Sequence, residues 1–325
     1  MTYPPNTVTL VADIGGTNTR VALAQEGRII ESTVRRYQNS EYPGLEAVLR
    51  EYIAAEGNVD CAAACAAAAG PVRDGVARMT NLAWTIDTKT LARATKSERV
   101  ALLNDLQAQG HALGHLPKRA LIEIIKATGV PRPGATQLVI GVGTGFNAAP
   151  VHETPNGRLV AASECGHASL PIRTEGDFRL QHFVEKAHGF AGIEDVLSGR
   201  GLERVYSWVS SEAGRRMDRR ASEIMTSIEI EDDPLATAAG RIFVRLLGTV
   251  AGNLALVHLP FGGVYMIGGV ARAFMPWLAE FGFVEGFRDK GRFSGFMQNF
   301  SVYVIDDDYA ALTGCAVHLQ SLMRT

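Results

Sequence analysis

The sequence predicts an α/β fold of two lobes, and three observations carry that prediction. The chain has 325 residues, 46% of them hydrophobic, which is enough to build more than one core. A unit of strand, glycine loop, strand, turn and strand occurs twice, once near the start and once near the middle. Around the two copies, short apolar runs alternate with amphipathic helical segments, the pattern of sheets covered by helices.

Taken in order, Leu10-Val11-Ala12-Asp13-Ile14 reads as a buried strand that runs into the turn Gly15-Gly16-Thr17. Arg20 to Ala24 resumes a strand, and Glu26-Gly27 turns it into Arg28-Ile29-Ile30. Tyr42 to Ala55 starts at Pro43-Gly44 and sets Leu45, Val48, Leu49 and Ile53 on one helical face. Cys61 to Ala69 is nine small residues: alanine propensity reads it as helix, but its length and the abrupt stop at Gly70-Pro71 suit a buried strand. The second copy is Leu138 to Gly145, then Ala148 to His152, the Asn156-Gly157 turn and Arg158-Leu159-Val160. Leu235 to Leu256 is a long helix. Leu246 to Ala271 holds no charge and exceeds the ~20 residues of a membrane span, but Asn253, His258, Pro260 and two Gly pairs divide it into a helix ending near Leu259, a turn and a strand Val264 to Ile267.

Composition removes several function classes. With 32 basic against 34 acidic residues, neither a nucleic-acid groove nor a membrane-surface patch is expected. Met1 to Thr7 has two prolines and no Lys or Arg, unlike a signal peptide, so a cytoplasmic protein is expected. Cys61, Cys65, Cys165 and Cys315 form no CxxC pair and the eight histidines are scattered, which disfavours disulfides and structural zinc.

Glycine loops after buried strands suggest phosphate binding. In Asp13-x-Gly15-Gly16-Thr17 the backbone N–H groups can approach phosphate oxygens unobstructed by Cβ, Thr17 adds a hydroxyl, and Asp13 stands where a hydrated Mg²⁺ would sit. The plain alternative is a hairpin turn, which two copies in matched contexts make harder to sustain. No GxxxxGK[ST] loop occurs. Gly143-x-Gly145-x-x-Ala148 imitates a dinucleotide fingerprint, but Pro150 and the Asn156-Gly157 turn leave no room for the helix that motif needs. Two phosphate-loop units, each heading its own half, suggest two lobes facing across a nucleotide cleft.

A set of motifs then carries a family resemblance: Leu10 to Arg20 (LVADIGGTNTR), Asn104-Asp105, Gly143-Thr144-Gly145, Glu164-Cys165-Gly166-His167, Val196 to Gly199, Gly252 to Leu256, Gly262 to Val270 and Asp289 to Phe293 (DKGRF). In this order, across nearly the whole chain, they resemble the proteobacterial-type glucokinases. The resemblance implies an actin-like (ribonuclease H-like) kinase fold with the nucleotide and sugar cleft between the lobes. It implies a smaller N-terminal lobe over 1–113, to which a C-terminal helix over 308–325 returns, and a larger lobe over 114–307. It further implies ATP and Mg²⁺ as cofactors, phosphorylation of glucose or a related hexose at the 6-hydroxyl, and a homodimer. The cysteine-rich zinc motif of the other large bacterial sugar-kinase group is missing.

Carried over by position, Asp13, Gly15, Gly16, Thr17 and Asn18 would meet the β- and γ-phosphates, with Asp13 reaching the metal through water. Gly143, Thr144 and Gly145 would form the second phosphate loop, and Gly268 and Gly269 would lie on the adenosine side. Asn104, Glu164, His167 and Glu194 would hold sugar hydroxyls, and Asp105 would bind the reacting hydroxyl and serve as base. The plainer alternatives are that Asn104-Asp105 caps a helix and that His167 is a core histidine. The chain departs from the family at Asn147, Ser163 and Cys165, where glycines are usual, and at Arg200, where proline is. A side chain in place of Gly can narrow a loop or change its φ. Rival functions are a kinase for another hexose or N-acetylhexosamine, an actin-like ATPase, which would not need the polar sugar set, and a non-catalytic sugar sensor.

Overall fold

The computed structural model describes residue 4, residues 6–79 and residues 82–324; Met1 to Tyr3, within the stretch read for a targeting signal, lie outside it. The chain divides into two compact units. The first comprises Met1–Lys118, Pro155–Val160 and Asp307–Thr325, the second Arg119–Thr154 and Ala161–Asp306.

In the first unit the strand Val8–Ile14 pairs antiparallel with Asn18–Gln25 and parallel with Ala63–Ala68, which in turn runs parallel to Arg99–Asn104. The ambiguous small-residue segment is therefore a central strand, buried along its whole length. Its side chains alternate between two cores. Ala64, Ala66 and Ala68 face the cluster of Leu45, Val48, Leu49 and Leu91, whereas Ala63, Cys65 and Ala67 face the C-terminal helix Ala310–Arg324 through Leu312, Cys315 and Leu319. Helices on both faces leave space only for small side chains, and this is why a strand here can be written in alanine. The C-terminal helix packs so closely on the helix Asp105–Ala112 that a Cβ on Gly314 would stand 1.6 Å from the Ala108 carbonyl oxygen.

Register decides where the loops go. Ile14 lies opposite Ala68, and Ala68 opposite Asn104, so the three parallel strands end in one row. The glycine turn after Ile14 and the Asn104-Asp105 pair are thereby delivered to the same carboxyl edge, where ligands bind in sheets of this kind.

The second unit repeats the device. Along its sheet the strands follow in the order Leu121–Ile125, Val302–Ile305, Val264–Ile267, Gln137–Val142 and Phe146–Thr154. Gln137–Val142 and Val264–Ile267 are parallel, with Gly141 opposite Ile267, so Gly143 and Gly268 leave the sheet side by side. Gly268 has φ +108°, and a Cβ there would stand 2.4 Å from the Val142 carbonyl oxygen. The helix Pro234–His258 backs this sheet; it alone among the described residues is long and apolar enough to cross a membrane, and 61% of its most apolar stretch is buried inside the protein. Its end at His258 and the strand Val264–Ile267 agree with the division expected from Pro260 and the Gly pairs.

Candidate active site

In the first unit the turn after Val8–Ile14 closes with a 2.9 Å hydrogen bond from the Gly15 N–H to the Asn18 carbonyl. Asp13 lies directly across the ladder from Arg20, whose Nη1 approaches the Asp13 carboxylate at 3.4 Å. Burial pushes the Asp13 carboxyl above its ordinary range, and Arg20 pulls it part of the way back. Asp105 opens the helix Asp105–Ala112. Burial, and then the neighbouring charge of Asp13, lift its pKa to about 6, against the pull of hydrogen bonds from the backbone N–H groups of Leu106 and of Asp105 itself.

The helix is capped by Asn104, not Asp105. The Asn104 Oδ1 accepts from the Leu106 N–H at 3.0 Å, and the Gln107 Oε1 accepts from the Asn104 N–H at 3.2 Å, a reciprocal capping box. Asn104 Nδ2 donates to the Gly70 carbonyl at 3.0 Å. The Asn104 side chain also hydrogen-bonds the Asp105 carboxylate, which ties the two neighbours together.

One residue that the sequence reading passed over organises the turn. Asn39 is 2% exposed. Its Nδ2 donates to the Gly15 carbonyl at 2.8 Å, its Oδ1 accepts from the Thr19 hydroxyl at 2.8 Å, and its N–H donates to the Thr17 carbonyl at 2.9 Å. Nothing local marks Asn39; only the pairing of Asn18–Gln25 with Arg35–Gln38 brings it there. Arg20 lies at the end of the stretch Leu10 to Arg20, and a hairpin register about the glycine turn suffices to set it opposite Asp13.

In the second unit the loop Gly143–Gly145 closes as the first one does, with the Gly143 N–H donating to the Gly145 carbonyl at 2.9 Å. The Gly199 N–H donates to the Gly143 carbonyl at 2.8 Å. The Glu194 Oε2 accepts from the Phe146 N–H at 2.8 Å, and a Cβ on Gly145 would meet that oxygen at 2.5 Å, so glycine is required for the carboxylate to sit over the loop. Glu164 and His167 lie on the turn through Cys165–His167, which packs on the segment carrying Glu194 through the Ile193 N–H to Ala168 carbonyl bond, 2.9 Å. Both side chains are exposed, with Glu164 Oε2 4.0 Å from His167 Nε2, which rules out the core-histidine alternative.

The departures at Asn147, Ser163 and Cys165 explain one another. The Asn147 Oδ1 accepts from the Ser163 hydroxyl at 3.0 Å and from the Cys165 N–H at 3.2 Å, and its Nδ2 donates to the Ser163 carbonyl and, at 3.3 Å, to Glu164 Oε2. The Ala148 carbonyl, 2.7 Å from the Ser163 hydroxyl, is a second acceptor for the same proton. Side chains where glycines were expected thus form one bonded set that fixes the turn carrying Glu164.

Among the described residues no cluster of three or more His, Cys, Asp or Glu is arranged to enclose a metal. Such a cage is not what Mg²⁺ asks for, since it keeps several waters and takes one or two carboxylates together with phosphate oxygens.

The glucokinase family model matches residues 10–322. A glucokinase of Chromobacterium violaceum is 33% identical over 316 residues, covering 95% of this chain and 88% of that protein. The crystal structure of a glucokinase from an Antarctic psychrotroph superposes with a TM-score of 0.86 at 29% identity, covering 96% and 98% of the two chains. A ROK family glucokinase from Streptomyces griseus, solved with glucose and AMPPNP, shares the fold at a TM-score of 0.60 and 19% identity, over 96% of this chain and 98% of that one.

Proposed function

The chain belongs to the glucokinase family, and from that membership we propose that it transfers the γ-phosphoryl group of ATP to the 6-hydroxyl of glucose with Asp105 as general base. The observation that carries the assignment of the base is the pair of carboxylates at one carboxyl edge, with Asp105 held at about 6 and Asp13 tied to Arg20. A base is most effective when its pKa lies near the working pH, and a carboxylate near 6 both accepts a hydroxyl proton and is ionised at neutrality. A sugar hydroxyl is a weak nucleophile, so orienting it and removing its proton as the bond to phosphorus forms is the main chemical task left to the protein.

The other roles follow from chemistry of the donors. The N–H groups of Gly15, Gly16, Thr17 and Asn18 and those of Gly143, Thr144 and Gly145 suit phosphate oxygens. Gly268 and Gly269, without side chains, suit the adenosine side. Asn104, Glu164, His167 and Glu194 offer donors and acceptors to sugar hydroxyls. Mg²⁺ would be held by Asp13 through water and would neutralise charge on the transferring phosphates. The AMPPNP bound by the Streptomyces griseus protein supports ATP as donor. A homodimer in the cytoplasm completes the reading, and the mass measured by light scattering checks the dimer.

The deciding experiment is a coupled ADP assay over glucose, mannose, fructose, galactose and N-acetylglucosamine. Buried polar partners left unpaired penalise an epimer with one misplaced hydroxyl, so glucose should have the highest kcat/KM. Equal values across the panel, or ADP formation independent of sugar, overturn the proposal.

A further inference from the structure

The second unit contains a cavity of about 870 Å³ for which the phosphoryl-transfer chemistry has no use. It lies where the end of the helix Glu175–His188, the outer face of Gly199–Glu212 and the start of Ala221–Ile230 meet. Its lining includes Lys186, Arg200, Arg204, Arg216, Arg219 and Arg220, almost half of the residues present, whereas Lys and Arg make up about a tenth of the chain. The near-neutral charge of the whole molecule hides this concentration. All five arginines come from the helix Gly199–Glu212 and the short stretch that follows it.

Three acids, Glu203, Asp218 and Glu223, also line the cavity, but two of them are engaged elsewhere. Glu203 Oε1 accepts from the Ala221 N–H at 3.1 Å, and Glu223 Oε2 accepts from the Arg220 N–H at 2.8 Å, so both serve the start of the following helix. Arg204 leans on Asp195, Arg219 on Asp233 at 3.2 Å, and Arg216 on the third acid, Asp218, at 3.9 Å as well as on the Ser207 hydroxyl at 3.2 Å and the Phe183 ring. No carboxylate is paired with the side chains of Lys186, Arg200 or Arg220 among the described residues. Lys186, Arg200 and Arg220 are thus the cations of the lining without a carboxylate partner.

We propose that this cavity binds a small phosphorylated carboxylic acid. A phosphate monoester offers the guanidinium forks of Arg200 and Arg220 oxygens that they fit in pairs, and a carboxylate on the same molecule offers the Lys186 ammonium a second anionic group. The volume of the cavity falls within the usual range for small-molecule pockets and suits a metabolite. Val184 and Phe183 supply the apolar floor for a short carbon chain.

The cavity adjoins the second glycine loop without including it. Arg200 follows Gly199, whose N–H holds the Gly143 carbonyl at 2.8 Å, and none of Gly143, Thr144, Gly145, Gly268 or Gly269 lines the cavity. An anion drawn to Arg200 shifts the first turn of the helix Gly199–Glu212 and with it the loop. The binding stands on the cavity alone; its effect on the phosphoryl donor rests on the reading of Gly143–Gly145 as a phosphate loop.

The test uses the whole protein and 3-phosphoglycerate as probe, followed by titration calorimetry at constant ionic strength, with glycerate and inorganic phosphate as separate arms. Saturable binding of 3-phosphoglycerate is expected, weakened by at least about tenfold in Lys186→Glu/Arg220→Glu, a loss that corresponds to one strong charged contact. Glycerate or phosphate alone should bind more weakly. In kinetics, saturating 3-phosphoglycerate should shift the KM for ATP by about threefold or more in the native protein and leave it unchanged in the double variant, whose kcat without the probe stays at the native value. Absence of saturable binding overturns the proposal. So does equal binding by native protein and double variant, or strict displacement of the probe by ATP, since either puts the anion at the glycine loops. The sugar panel, run without probe, is independent of these outcomes.

Discussion

Asn39 holds the carbonyl of Gly15 through a 2.8 Å hydrogen bond across a separation of 24 residues, and its own backbone N–H holds Thr17. Two anchor points on one turn keep the remaining N–H groups of the turn directed outward. Asn39→Ala leaves the Gly15 carbonyl and the Thr19 hydroxyl without their buried partner, at a cost of about 1–3 kcal/mol. The loosened turn should raise the KM for ATP by roughly tenfold while the KM for glucose changes much less. Steady-state kinetics with each substrate varied in turn checks this, and an unchanged KM for ATP shows that the turn holds its shape without Asn39.

The capping box formed by Asn104 and Gln107 bears on Asp105. Since the helix start is already capped, replacing Asp105 by Asn should not lower the thermal midpoint, and at neutral pH it should raise it, because Asn keeps the size and most of the hydrogen bonding and removes the cost of a buried charge. Loss of the base should lower kcat by roughly 10²- to 10⁴-fold and the sugar Kd far less. Near-native turnover in Asp105→Asn refutes the assignment.

The pKa of about 6 at Asp105 also sets the pH profile. The folded protein disfavours the ionised form, so the carboxyl stays protonated below about 6 and cannot accept a proton. The rate should therefore fall by about tenfold per pH unit on the acid side of 6 and level off above it. For stability the sign is opposite: ionising Asp105 costs the folded state as pH rises from the ordinary carboxyl value of 3.8 towards 6. The acid limb of the profile should vanish from the residual activity of Asp105→Asn.

His111 and His318 form a buried pair with ring centroids 4.5 Å apart. Burial, then the neighbouring His318 and Arg158, push His111 down to about 3, and burial lowers His318 as well. Both rings are thus neutral in the fold, whereas free histidine titrates near 6.5. Their contribution is complete above about 6.5 and is lost as pH falls below it, by ~2 kcal/mol at pH 5 for His111 alone. Urea unfolding at pH 7.5 and 5 should show that loss, and His111→Gln should reduce the difference between the two pH values. An identical pH dependence in the variant shows that His111 is not its source.

Asp177 is 1% exposed and accepts from Arg245 and from the N–H groups of Arg173 and Thr174, at 3.0 and 2.9 Å. Burial alone would raise its pKa, but Arg245 and these donors outweigh it and hold the carboxyl below the usual range. Asp177→Ala leaves Arg245 without its partner and should cost about 3–5 kcal/mol in denaturant unfolding. A loss under about 1 kcal/mol means that the pair is solvated in the native protein.

Much of this fold can be read locally, because periodicity and turn chemistry depend on near neighbours in the chain. The two glycine loops, the break of the long apolar stretch into a helix and the strand Val264–Ile267, and the hairpin that faces Arg20 towards Asp13 are all of that kind. The segment Ala63–Ala68 was ambiguous for the same reason, since alanines carry no periodicity, and its choice of strand came from helices closing on both faces of the sheet. The motifs brought Asp13 and Asp105 to attention, but their common edge, and so the pKa of Asp105, follows from the register Ile14 to Ala68 to Asn104. Asn39 at Gly15, the bonded set of Asn147, Ser163 and Cys165, and the cationic wall around Arg200 lie further from sequence. Each joins residues from separate elements, and which donors and charges meet there depends on how those elements pack, a property of the whole chain that no short window of residues contains.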